Sequence, residues 1–92
     1  MNTVTQERVD SQIVKETTAK LAEKTTVVIL TLKNGFEVVG TSACVDPANY
    51  DHEIGIKYAR QRAMDKVWEL EGYFLQALIH AEKELSKVEV GE

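Results

Sequence analysis

The sequence predicts an α+β domain: an N-terminal helix, an antiparallel β-hairpin, then one long or two consecutive C-terminal helices. Three observations carry that expectation. Val9, Ile13, Thr17 and Leu21 recur at the spacing of one helix face; the run TTVVILTLK ends on Asn34-Gly35; and helical periodicity then persists from Ile54 to Leu85.

The first helix is placed at roughly residues 4–22, opened by a capping box from Thr3 to Gln6. Glu7, Arg8, Lys15 and Glu16 fall on its wet face, with Glu16 and Lys20 a favourable helical pair. Thr25 to Lys33 is β-branched and short, the pattern of a buried strand. Asn34-Gly35 suits a type I′ turn, which pairs Lys33 with Phe36, Thr31 with Val38 and Ile29 with Gly40. In that register Phe36 and Val38 share a face with Ile29, while Val39 and Ala43 join Val28, Leu30 and Leu32. Two strands are marginal in water, so the ribbon needs helices or another subunit's strands over it.

Asp46-Pro47 reads as a helix start that Asn49, Tyr50 and Asp51 can delay by one turn. Ile54, Tyr58, Ala59, Ala63 and Val67 then form a small-residue contact stripe, continued by Leu70, Phe74, Ala77, Leu78, Ala81 and Leu85. Trp68 to Gly72 is compatible with a bend or a continuous helix, and Val88 to Glu92 is expected to fray. Gly40 and Gly55 each fit a close approach of backbone or helix.

A chain of 92 residues is one small domain spanning 1–92, and with 43% hydrophobic and 28% charged residues it has the balance of a soluble globular protein. The single cysteine, Cys44, excludes an internal disulfide and points to a reducing compartment. No apolar run is long enough to cross a bilayer, and the polar Met1 end is unlike a signal peptide. A net charge of −4 disfavours non-specific nucleic-acid binding.

Chemistry-bearing motifs are sparse. His52 and His80 stand alone without metal-site spacing, so no metal or other cofactor is expected. Cys44 with His52 and Asp46 is a weak nucleophile constellation, and Cys44 at the end of an apolar strand reads better as a buried small hydrophobe. Neither a GxGxxG nor a Walker loop occurs. The densest basic stretch, Lys57, Arg60, Arg62 and Lys66, lies among Tyr50, Tyr58 and Trp68. Lys57 and Arg60 fall within about 60° on a helix while Arg62 and Lys66 point away, so an anion pocket needs symmetry to gather them. Glu69, Glu71, Glu82, Glu84, Glu89 and Glu92 make the last third acidic, interrupted by Lys83 and Lys87.

The segment LTLKNGFEVVGTSACVDPANYDHEIGIKYARQRAMDKVWELEGYFL resembles a family of small phage proteins of uncharacterised function from short-tailed enterobacterial phages. Its most specific pieces are Leu32 to Phe36, Ser42 to Val45, Glu53-Ile54-Gly55, Trp68 and Leu70 to Tyr73. Glu69 stands where proline is common in that family and Ile56 where a polar residue is usual, which favours a continuous helix here. The resemblance implies a virus-encoded accessory protein of the host cytoplasm and transfers no catalytic residue.

The resulting expectation is a non-enzymatic, homo-oligomeric binding protein for host takeover or counter-defence. It sequesters an anionic host nucleotide signal between subunits through Lys57, Arg60, Tyr58, Arg62, Trp68 and Tyr50. The alternative is an inhibitor that docks an acidic helical surface on a host nuclease, polymerase or defence effector.

Overall fold

A computed structural model describes residues 3–90, the side chains of 88–90 excepted. The order is α1 (Gln6–Gln12), β1 (Ile13–Leu21), β2 (Thr25–Leu32), β3 (Glu37–Ala43), a 3-10 turn (Pro47–Asn49) and α2 (His52–Val90). The three strands form one antiparallel sheet in the order β1-β2-β3, and α2 crosses one face of it. The architecture is the expected α+β class with one long C-terminal helix.

The first helix is much shorter than the sequence suggested. It begins two residues later, with Thr5 as N-cap, whose hydroxyl accepts from the Arg8 N–H at 3.1 Å. It stops at Gln12, and Ile13–Leu21 is a strand instead. The spacing that marked a helix face buries Val9, while Thr17 and Leu21 are exposed. Ile13, Val14, Thr17 and Thr18 are β-branched, so extended backbone suits them, and β2 offers an edge to pair with. This third strand supplies part of the cover the two-stranded ribbon lacked.

The β2–β3 loop also differs by one residue. Leu32 and Phe36 close the hairpin through Leu32 N–H to Phe36 O at 2.9 Å, leaving Lys33, Asn34 and Gly35 as the loop. Gly35 alone has a positive φ there, +90°, so the turn is not type I′. Asn34 contributes its side chain, accepting from the Phe36 N–H at 3.0 Å. The register therefore pairs Leu30 with Val38, Val28 with Gly40 and Ile29 with Val39. A shift of one residue exchanges the faces. Val38, not Val39, joins Val28, Leu30 and Leu32 inside, and Val39 is 41% exposed.

The core is thin: Val9, Val28, Leu30, Leu32, Val38, Ala59, Ala63 and Val67, with Ile13, Ile56, Met64 and Trp68 packed at its margin. α2 comes close because small residues meet at the crossing. A Cβ on Gly40 would strike Ala59 and Ala63, and one on Gly55 would strike the Thr26 hydroxyl. Among the described residues no element covers the other sheet face, leaving Val27 and Ile29 half-buried.

Asp46 caps only the 3-10 turn, accepting from the Ala48 N–H at 3.0 Å. Asp51 caps α2, accepting from the Glu53 and Ile54 N–H groups at 3.0 and 3.2 Å. From there α2 is unbroken through Trp68 to Gly72. It gives the molecule extents of 69 × 22 × 21 Å, its C-terminal part running past the sheet. The fraying expected at Val88–Glu92 falls on side chains and residues outside those described.

Candidate functional site

Of the six residues singled out in the sequence, five lie on α2, which spreads them over different sides, and Tyr50 precedes it. Arg60 turns to β1, where its Nε donates to Glu16 Oε1 at 2.9 Å and its Nη2 to Glu16 Oε2, a fork-to-fork pair. Donating these hydrogen bonds to Glu16, and the charge of that carboxylate, hold the Arg60 guanidinium above its ordinary pKa against slight desolvation. Lys57, one turn before Arg60, lies within about 60° of it around the helix, but its ammonium turns to Tyr58, 5.9 Å from the ring centroid. Trp68 is half-buried, packed at the core margin with Ile13 and Met64.

Arg62 points the other way, and its Nη1 donates to the Thr41 carbonyl at 2.6 Å. Lys66 does the same to the Val39 carbonyl at 2.6 Å. Both cations cap carbonyls on the outer edge of β3. Tyr58, 53% exposed, lies within about 40° of Arg62 around the helix axis. One chain therefore does not bring Arg60 and Arg62 into a single basic pocket.

Tyr50 sits at the end of the sheet. Its hydroxyl is 2.8 Å from Thr26 Oγ1, which is fully buried, and 2.8 Å from His52 Nδ1. Lys20 of β1 lies over its ring, 4.6 Å from the centroid. Together with Lys24, Ser42, Cys44, Gly55 and Tyr58, Tyr50 lines a small cleft of about 180 Å³.

Cys44 is not the buried hydrophobe expected. It lies just beyond β3, partly exposed, and its thiol donates to the Asp46 carbonyl at 3.3 Å. His52 is held by Tyr50, so each member of the candidate nucleophile pair has another partner. Among the described residues no cluster of three metal-ligating side chains occurs.

The sequence reading missed two participants on the β1 side, Glu16 and Lys20. Their spacing reads as a helical pair, whereas in the strand they share the inner face with Thr18. Thr17-Thr18 between them was the available signal for strand. Because α2 packs on β2 and β3, this inner surface of β1 stays open, forming a shelf beside Arg60.

A second exposed feature is apolar. Phe36, Leu70, Tyr73, Phe74 and Leu78 are 38–76% exposed where α2 leaves the sheet, and clefts on either side of Phe36 share Leu70. Arg8 Nε to Glu71 Oε1 at 2.7 Å fastens α1 beside it.

A three-stranded antiparallel sheet backed by one long helix defines a small α+β protein with an open shelf and an exposed apolar stripe. Residues 4–79 match the Phage protein (N4 Gp49/phage Sf6 gene 66) family, and the chain belongs to it. The match extends the resemblance seen in the central segment back through α1 and β1. No curated protein and no solved structure matches. Among the described residues no helix is long and apolar enough to cross a membrane.

Proposed function

We propose that this phage protein is a non-enzymatic accessory factor that sequesters an anionic nucleotide signal of the host between its subunits. It acts in the cytoplasm of an infected cell, in keeping with the short-tailed enterobacterial phages its central segment resembles. The observation that carries this reading is the open shelf on β1. Arg60 and Lys20 flank it in a protein of net charge −4, the Tyr50 ring lies under Lys20, and Lys57, one turn before Arg60, reaches toward the Tyr58 ring. Guanidinium forks suit phosphate, and aromatic faces suit bases and cations. One chain supplies only one wall, so a second copy is needed to enclose a ligand.

The test is native mass spectrometry of the full chain with a panel of mono- and oligoribonucleotides, beside Arg60→Glu and Lys57→Glu. Retention of a discrete nucleotide mass by the parent and its loss in both folded variants is the expected result. A parent chain that retains no nucleotide overturns the reading.

The exposed apolar stripe favours a second reading. Phe36, Leu70, Phe74 and Leu78, with Glu69, Glu82 and Glu84 on the same helix as the last three, suit a host protein with a basic-rimmed apolar surface. In that case Phe74→Asp or charge reversal at Glu82 and Glu84 weakens the complex, and Arg60→Glu leaves it intact.

A further inference from the structure

The two edges of the sheet are treated differently. The hydrogen bond from Leu32 to Phe36 shows that even-numbered residues of β2 turn their backbone groups toward β3, and odd-numbered ones toward β1. Thr17, Ala19 and Leu21 of β1 answer them, opposite Ile29, Val27 and Thr25. Glu16, Thr18 and Lys20 therefore turn their N–H and C=O groups outward. On β3 the outward carbonyls are those of Val39 and Thr41, and these are the groups that Lys66 and Arg62 cap. Such guarding closes an edge to strand addition. Among the described residues no hydrogen bond reaches the outward backbone groups of Glu16, Thr18 or Lys20, and the three residues are exposed.

We propose that this free edge of β1 pairs antiparallel with β1 of a second copy, about a two-fold axis at Thr18. The register follows from parity and charge. Outward groups must face outward groups, so the axis lies at a residue and not between two. With the axis at Thr18, Glu16 stands opposite Lys20 of the partner subunit, and Lys20 opposite the partner's Glu16. Thr17 then faces Ala19 of the partner subunit on the other face, and Lys15 to Leu21 runs fully paired. An axis at Thr17 sets Glu16 against Thr18, and one at Ala19 sets Thr18 against Lys20. Either loses both ion pairs, and like or unmatched neighbours directly opposite contribute less than opposite charges.

The pairing makes a continuous six-stranded sheet with both α2 helices on one face, because a two-fold perpendicular to the sheet keeps faces aligned. Glu16 sits between its own Arg60 and the partner's Lys20. The two open shelves merge into a trough between the helices. The pairing stands on the strand edges alone and holds whatever the trough accepts.

Analytical ultracentrifugation and light scattering of the full 10.3 kDa chain test it. The parent sediments at twice the chain mass or a multiple of it. Thr18→Pro removes an N–H that points away from β2, so it leaves the intrachain ladder complete and halves the mass with an unchanged circular dichroism spectrum. Lys20→Glu sets like charges opposite one another and gives the same dissociation without a backbone change. Mixed with Glu16→Lys, it regains double mass. A monomeric parent overturns the proposal. So does a parent oligomer that both Thr18→Pro and Lys20→Glu leave intact, which places the contact elsewhere, for instance on the apolar stripe that Leu78→Asp disrupts. Nucleotide retention is read separately, so a dimer that binds none refutes only the ligand.

Discussion

Gly40 of β3 lies directly beneath Ala59 of α2, close enough that a Cβ on the glycine would collide with the Ala59 carbonyl and come within 2.5 Å of the Ala63 nitrogen. The obstacle is backbone, which cannot rotate aside. Gly40→Ala is expected to lift α2 off the sheet and cost ~2–3 kcal/mol, an overpacking penalty in a core of eight buried residues among those described. A denaturant melt measures it. A variant as stable as the parent means that α2 can shift away from β3 at little cost.

Gly72 gives the opposite sign. It lies inside α2, and a Cβ added there would meet nothing within 4 Å. Gly72→Ala should stabilise by ~0.5–1 kcal/mol, because alanine loses less backbone freedom on entering a helix. A gain in thermal midpoint together with loss of a bound partner marks this position as a contact surface.

Thr26 and Tyr50 form a hydroxyl pair at 2.8 Å. Tyr50→Phe strands the fully buried Thr26 hydroxyl and is expected to cost ~1–3 kcal/mol. Adding Thr26→Val removes the stranded group, so the double variant should be more stable than Tyr50→Phe alone. A double-mutant cycle with no coupling shows that water replaces the phenol.

Arg62 and Lys66 cap the β3 carbonyls from an exposed helix surface. Arg62→Ala with Lys66→Ala should change stability by less than ~1 kcal/mol each, as exposed charge contacts do. It should nevertheless raise concentration-dependent association, since the β3 edge then accepts a strand. Static light scattering over a concentration series reads this. Unchanged scattering shows that the cations do not guard the edge.

Ala22, in the β1–β2 turn, has φ of 59°. A side chain there costs ~1–2 kcal/mol, so Ala22→Gly relieves strain. Glycine's greater freedom when unfolded offsets part of that, leaving a net gain below ~1 kcal/mol in a thermal melt.

Much of the architecture was legible in local sequence. The β-branched run at Thr25 to Leu32, the turn glycine at Gly35 and the long period from Ile54 onward each express a preference of the segment itself. The small residues Gly40, Gly55, Ala59 and Ala63 mark places of close approach, though not that Gly40 of the sheet meets Ala59 and Ala63 of the helix. The α+β class and the helix through Trp68 follow from these.

The candidate site was less legible. Helical angle sets Lys57 near Arg60, yet Glu16, the partner of Arg60, and Lys20 beside it belong to a strand far away in sequence. Residues 13–21 carry a spacing that suits a helix and side chains that suit a strand. Their choice depends on the free edge of β2, which exists only after the hairpin forms. The hairpin register likewise turned on which face α2 would cover, because a one-residue slip costs little locally and exchanges Val38 for Val39 in the core. What the sequence determined by itself was therefore the intrinsic bias of each segment: helix after Asp51, strand before Asn34, a turn at Gly35. The fate of residues 13–21, the face each strand buries and which sheet edge stays open are settled by the folded whole, because they depend on burial and pairing between residues distant along the chain.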